Sequence, residues 1–185
     1  MKPQFLFALG LLTLSVQAAP VPDAEQLRNE AASLIPAFQQ QLLATVKQAM
    51  ADGGPSQAVE ACQLLAPEIA QQHSQAPWKV GRTALKLRNP DNAPDTWEQS
   101  VLEQFAQRSA AGEPLAQLSH DEVVDGEYRY MQAIGTGEAC LSCHGANISP
   151  ELLSLLEQRY PQDQARGFRE GELRGAFSLR RALSP

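Results

Sequence analysis

The stretch "EACLSCHG", residues 138–145, contains the side chains most suited to chemistry. Cys140 and Cys143 stand three positions apart, and His144 follows the second thiol directly. Two thiols at this spacing with an adjacent imidazole suit three kinds of site: a covalently attached haem, a zinc ion, or a redox-active disulfide. The choice among these three determines most of what the sequence says about function.

Covalent haem fits the motif best. Two cysteines on one helical turn reach the two vinyl groups of a haem, and the adjacent histidine enters an axial position of the iron. A zinc site usually needs two such pairs, whereas here only one pair, His144 and Cys62 are offered. A thioredoxin-like pair opens a helix within a βαβ unit, which the flanking residues do not suggest. The motif therefore predicts one haem c, attached through Cys140 and Cys143 with His144 as an axial ligand.

The second axial ligand has to come from upstream, since residues 145–185 contain no Met, His, Cys or Lys; otherwise the iron is five-coordinate. Cys62 leads because it is the remaining cysteine and faces inward on a predicted helix. A free buried cysteine serves equally well as a small hydrophobic core residue, and the residues alone leave these two interpretations equal. The other candidates are Met50, Met131, His73 and His120. The simpler interpretation is that the two methionines belong to the core and that the two histidines are exposed to solvent.

The elements that must position the motif follow from hydrophobic periodicity and turn residues. Helices precede most of the strands, which predicts an α+β domain with long N-terminal helices packed on an antiparallel sheet. Helices are predicted over residues 23–51, 56–72, 95–112 and 150–160, and strands over 78–88, 119–134 (a hairpin turning at 125–126) and 171–180.

The predicted strand 78–88 carries Arg82, Lys86 and Arg88 on one side. A solvated basic strand edge is the simpler interpretation of these cations. The alternative is that they pair with the carboxylates of a haem, because buried carboxylates need cations or hydrogen-bond donors.

The first residues predict export. Lys2, the apolar run "FLFALGLLTLSV" and "VQA" at 16–18 follow the layout of a secretory signal peptide over residues 1–18, leaving a haem-binding domain over 19–185. The apolar run is shorter than the about 20 residues of a membrane helix, and no later segment is long enough to span. Loss of Lys2 takes the net charge from −6 to −7, which disfavours nucleic acid and anionic membranes. We expect a periplasmic protein that does not span the membrane.

Four stretches together resemble a known family: "ACQLLAPEIA", "GRTALKLRNPDNAPDTWE", "CLSCHG" and "YPQDQARGFREGELRGAFSL". They are similar to exported monohaem c-type proteins with a PAS-like haem domain, which occur alone or as extracytoplasmic sensor regions. The resemblance implies a PAS-like antiparallel sheet. It also implies that the iron is held by His144 on one face and by Cys62 on the other.

Single-electron transfer to a redox partner protein is the expected function, because an iron capped on both faces changes only its valence. The alternative is a haem-based redox or gas sensor that acts through a separate partner. An enzyme such as a peroxidase would need an open iron position and a distal acid–base residue, and neither His73 nor His120 is placed convincingly for that role. The chain is therefore not expected to be an enzyme.

Overall fold

The computed structural model describes residues 23–183. The predicted signal peptide, residues 1–18, lies outside this range. Within it, no helix combines the length and the apolar character that a membrane crossing requires.

Helix α1 (Ala24–His73) is a hairpin of two arms. Its backbone leaves the helical conformation at Gly53 and Gly54, and Gly54 has φ 69°, a value that glycine adopts without a Cβ clash. The arms run back along each other, since the Gln41 side-chain amide donates to Gln72 Oε1 at 3.1 Å. The two helices predicted on either side of "DGGP" are these two arms.

Four antiparallel strands form one sheet in the order β1-β4-β3-β2. The predicted hairpin joins β2 to β3 through Asp125 (φ 51°) and Gly126 (φ 78°), the two positive φ values of a tight hairpin turn. The strands are β1 (Trp78–Thr83), β2 (Ser119–Val124), β3 (Glu127–Gly135) and β4 (Leu173–Ala182).

The predicted strand over 78–88 is too long, because β1 ends at Thr83. The backbones come close at this point, because a Cβ on Gly175 of β4 would collide with the Thr83 carbonyl oxygen and with Ala84. Beyond this point the chain bonds to a different segment, and the Gln164 amide donates to Leu87 O at 2.7 Å. Residues 84–88 therefore leave the sheet and run toward the loop before β4.

Each face of the sheet is covered by a helix. The first arm of α1 and the end of its second arm bury one face, and α2 (Thr96–Ala110) buries the other. The predicted N-terminal box of α2 is present, with Asp95 and Glu98 each accepting the other's backbone N–H. Buried residues on the α1 side include Leu27, Phe38, Trp78, Val80, Tyr128 and Leu179, and those on the α2 side include Val101, Leu102, Phe105, Met131 and Ala176.

The predicted α+β fold with an antiparallel sheet is confirmed. Between β3 and β4 the chain forms two further helices, α3 (Leu141–His144) and α4 (Pro150–Arg159). Helix α4 begins at the predicted proline and is capped by Ser149, whose hydroxyl accepts the Leu152 N–H. This inserted segment carries the cysteine motif.

Candidate functional site

The motif forms a single tight turn. Helix α3 ends at His144, and the N–H of the next residue, Gly145, donates to Leu141 O at 2.8 Å. A Cβ at Gly145 would lie 2.5 Å from that same oxygen, so only glycine fits directly after the histidine. The chain is then pinned to the loop before β4, because the Phe168 N–H donates to His144 O at 3.0 Å. The histidine end of the motif is thus held by backbone bonds.

The residues before the motif are anchored in the same way. The Thr136 N–H donates to Glu172 O, and the Gly171 N–H donates to Thr136 O, both at 2.8 Å. Thr136 is 2% exposed and its hydroxyl has no hydrogen-bond partner. The Cys140 sulfur lies close to Gly137, since a Cβ built on this glycine would be 4.0 Å from the sulfur.

The His144 ring is oriented by a backbone carbonyl. Its Nδ1 lies 2.8 Å from Ala165 O, and because a carbonyl only accepts, Nδ1 carries the proton and Nε2 is left with a lone pair. Burial, together with the charges of Arg174 and Arg88, lowers the pKa of His144 to about 3. A neutral imidazole with one nitrogen bonded to a carbonyl is the form in which histidine binds metal ions.

A buried ion pair supports the carbonyls around His144. The guanidinium of Arg88 donates to Cys143 O at 2.6 Å and to Ala165 O at 3.3 Å. It also pairs at 3.2 Å with Asp163, whose side chain is 0% exposed and which Arg166 contacts at 2.9 Å. Burial alone would raise the pKa of Asp163, but hydrogen bonds from Arg166 and Arg88 hold it below its ordinary value. Arg88 therefore ties the motif to the segment that orients its histidine.

Cys62 lies in the second arm of α1, next to the motif. One turn earlier, Val59 packs with Leu152 and Leu156 of α4, and Cys143 packs against the same cluster. Burial raises the pKa of Cys62, opposed by the nearby charge of Arg82, while the Cys143 thiol acts in the same direction as burial. All three cysteines are free thiols of intermediate exposure. The structure thus brings Cys62 and the motif into one neighbourhood, and its role as an iron ligand stays a prediction.

The four other candidate ligands have different neighbours. Met131 is fully buried in the cluster under α2, and Met50 packs on the alanines near the hairpin of α1. The ring of His73 contacts Phe38 and Gln41, and that of His120 lies between Trp97 and Glu122.

The zinc and disulfide alternatives find no support in the arrangement. Across residues 23–183, no three or more His, Cys, Asp and Glu side chains come together as a metal-binding group. The motif helix α3 is four residues long and stands beside an antiparallel sheet, unlike the βαβ unit of a thioredoxin-like pair.

The expectation of a solvated basic strand edge is wrong for two of its three residues. Lys86 is exposed, but the Arg88 side chain is only 10% exposed and Arg82 is partly buried beside Cys62. Arg88 is buried because β1 ends early and the residues after it carry Arg88 into the interior, next to the motif.

Arg174 was missed from sequence, and it is a neighbour of both His144 and Cys62. Simple alternation of side chains along β4 would place Arg174 on the sheet face that points away from the site. The pairing of β3 with β4, however, skips from Gly175 to Leu173, so Arg174 is the extra residue of a β-bulge, which redirects its side chain. No pattern in the sequence signals this bulge, apart from the adjacent glycine.

Comparisons with known proteins identify the class. The Tll0287-like family matches residues 18–181, and the chain belongs to this family. The crystal structure of the cyanobacterial haem protein Tll0287 is similar to this chain, with 25% identity and a TM-score of 0.63 over 88% of this chain and 98% of that one. No curated protein matches the sequence. The family predicted from the four sequence stretches is confirmed.

Proposed function

We propose that this chain is an exported monohaem c-type protein that transfers single electrons in the periplasm. In this proposal residues 1–18 are a signal peptide, and the mature chain binds one haem through thioether bonds from Cys140 and Cys143. His144 and Cys62 are the axial ligands. The bound haem supplies an iron centre that cycles between its ferric and ferrous states.

The observation that carries the proposal is the state of His144. Its Nδ1 proton is engaged by Ala165 O at 2.8 Å and its Nε2 is free of protein partners among the described residues. The ring is neutral at physiological pH, since its pKa is lowered to about 3. Two thiols on the same turn complete the residues that covalent attachment needs. The chemistry of the donor set therefore fits a haem, and the similarity to the haem protein Tll0287 supports the same conclusion.

The position of Cys62 supports electron transfer over ligand binding. Burial raises the pKa of the Cys62 thiol, and the charges of Arg82, Arg88 and Arg174 oppose that rise. Cys62 and His144 would together hold the iron, and a thiolate ligand would favour the ferric state. We expect a low midpoint potential in consequence. A strongly positive potential would contradict the Cys62–iron bond.

Haem-based sensing through a separate partner is the second candidate. The observation that favours it is the hairpin at Gly53 and Gly54, which gives the arm carrying Cys62 a joint at which it can shift if the thiolate leaves the iron. In that case reduction, carbon monoxide or nitric oxide would displace Cys62. No catalytic residue is part of either candidate.

The test compares visible spectra of the ferric and ferrous proteins, produced from the full precursor with the cytochrome c maturation system. Wild type is measured beside Cys62→Ala and His73→Gln, the second serving as a control because His73 sits in the same arm but contacts Gln41 and Phe38. We expect haem that stays attached in denaturant, and a low-spin ferric thiolate signature in wild type and His73→Gln. Cys62→Ala should lose that signature and have a higher midpoint potential.

Three outcomes separate the candidates. A Cys62→Ala spectrum equal to wild type would remove Cys62 as a ligand. Carbon monoxide binding to the ferrous wild type would favour sensing, and an unchanged ferrous spectrum would favour electron transfer. Absence of covalent haem would overturn the central claim.

A further inference from the structure

Three arginines surround the positions of the proposed axial ligands. The charges of Arg82, Arg88 and Arg174 act on Cys62, and those of Arg174 and Arg88 act on His144. These three side chains are called the arginine cluster below. They come from three different parts of the chain: β1, the segment after it, and the bulge of β4.

One member of the cluster is already committed to the protein itself. Arg88 donates to two carbonyls and pairs with the fully buried Asp163. Asp163 is shared with Arg166, so its single negative charge faces two guanidinium groups. Asp163 also acts on Arg174, but its attraction is smaller than the effects of burial and of repulsion from Arg88 and Arg82.

The other two members lack a counterion. Among the described residues neither Arg82 nor Arg174 takes part in an ion pair with Asp or Glu. Arg174 bonds only to a backbone oxygen, that of Lys86, at 3.3 Å. Its guanidinium also lies 5.3 Å from the centre of the Phe168 ring, and that ring contacts His144 edge-on.

Both side chains are also partly buried. Burial lowers the pKa of Arg82. For Arg174 burial comes first, followed by repulsion from Arg88 and Arg82, and together they lower the pKa to about 10. Guanidinium groups kept from water without a carboxylate are costly, and planar guanidinium groups bind carboxylates through two parallel hydrogen bonds. The local excess of positive charge is notable in a chain of net charge −6.

We infer that Arg82 and Arg174 bind the two propionate carboxylates of the haem, while Arg88 serves the protein by holding the motif. This inference rests on the proposed function. It divides the cluster into two ligand-binding cations and one structural cation, and it replaces the set of Arg82, Lys86 and Arg88 suggested by sequence. Lys86 is exposed, and its ammonium is bonded to Arg166 O at 2.6 Å.

The test uses the matured protein with its haem propionates labelled with ¹³C, read by redox-difference infrared spectroscopy. Arg82→Gln and Arg174→Gln are compared with wild type and with Arg180→Gln, which changes an exposed arginine on the same strand as Arg174.

In Arg82→Gln and Arg174→Gln we expect a shift of the label-sensitive carboxylate bands and a lower midpoint potential, because loss of a nearby cation favours the ferric state. A freed carboxylate also takes up a proton more easily, so the potential should acquire a stronger dependence on pH. Arg180→Gln should match wild type in all three readouts.

Two results would overturn the inference. Label-sensitive bands that stay at the wild-type positions in both variants mean that the carboxylates are bound elsewhere, even if the potential falls through loss of charge alone. Bands that shift equally in Arg180→Gln mean a general field effect. Haem yield in denaturant, measured on every sample, separates these results from failure of the proposed function, in which no variant carries covalent haem.

Discussion

Arginine charge is compensated differently in two regions of the molecule, the sheet face covered by α2 and the surroundings of the cysteine motif on the α1 side. On the α2 face, Arg129 is 7% exposed and lies 2.6 Å from Asp95 and 3.4 Å from Glu98. Its guanidinium also stacks 4.4 Å from the centre of the Trp97 ring. Two carboxylates and an aromatic face thus compensate one cation, and all of them belong to the helix start that Arg129 holds against the sheet.

Around the cysteine motif, four guanidinium groups share little negative charge, although Arg181 elsewhere on the α1 face pairs with Glu30 at 2.6 Å. Arg88 and Arg166 divide the buried Asp163, Arg166 also contacts the exposed Glu157, and Arg82 and Arg174 have no carboxylate among the described residues. The charge of Arg129 is compensated by carboxylates, although its Nε has no hydrogen-bond partner among the described residues. The difference separates a paired cation beneath α2 from two cations near the motif that have no carboxylate partner in the described part of the chain, as the inferred binding of the haem carboxylates requires.

The largest effect is expected from Asp163→Asn, which removes the buried carboxylate shared by Arg88 and Arg166. Arg88 and Arg166 would then lose their counterion, and the carbonyls that orient His144 would lose their support. Breaking a buried ion pair in this way should lower the free energy of unfolding by about 3 kcal/mol. Urea unfolding of the haem-free chain measures it. Glu157→Gln is the control, because Glu157 is 61% exposed, and it should cost less than about 1 kcal/mol.

The same carboxylate predicts an acid dependence. The folded-state pKa of Asp163 is held below its ordinary value of 3.8, so the folded state binds a proton less readily than the unfolded state. The stabilisation that the Asp163 carboxylate gives to the folded state is therefore complete above about pH 4. It is lost as the pH falls through the folded-state pKa. Unfolding measured at successive pH values should show less acid destabilisation in Asp163→Asn than in wild type. Parallel acid profiles would contradict this assignment.

A smaller loss is expected from Arg129→Met on the α2 face. Asp95 is 46% exposed and can be rehydrated, whereas Glu98 is 15% exposed and is left with the Ser178 hydroxyl as its side-chain donor to Oε1. We expect a loss of about 2 kcal/mol in the free energy of unfolding, with the spectrum of the haem-loaded protein unchanged. Arg108→Met on the same helix is the control, since Arg108 and Glu113 form a surface pair worth less than about 1 kcal/mol. An altered haem spectrum in Arg129→Met would show that the two faces are not independent.

The smallest effect, and one of opposite sign, is expected from Arg82→Met in the haem-free chain. Its guanidinium has no carboxylate to lose among residues 23–183, so an apolar side chain of similar length should leave the free energy of unfolding unchanged or raise it by about 1 kcal/mol. Side-by-side denaturation with Arg129→Met measures the contrast. A loss of unfolding free energy as large as that of Arg129→Met would mean that the Arg82 guanidinium is also compensated, which would contradict the comparison.

Local patterns were sufficient for most of the fold. The glycines at 53 and 54, the box formed by Asp95 and Glu98, and the Asp125-Gly126 turn each depend on residues within a few positions of one another. Such features have the same physical cause in the isolated sequence as in the folded chain. The cysteine motif is local in the same sense, and so the sequence alone predicts its attachment chemistry.

The errors fall where distant segments meet. Strand β1 ends at Thr83, and the following residues bond instead to the loop before β4, where the Gln164 N–H donates to Leu87 O. Arg174 turns toward the site because of a bulge between β3 and β4. Neither event involves residues that are neighbours in the sequence.

The sequence by itself therefore determined the motif Cys140, Cys143 and His144, the α+β order of elements and the family, since each depends on short-range spacing or on the residues present. Only the tertiary structure decided that Ala165 orients the His144 ring, that Cys62 comes beside the motif, and that Arg88 is paired while Arg82 is not. The physical reason is that burial and charge compensation depend on contacts made across the whole fold, and no local pattern records them.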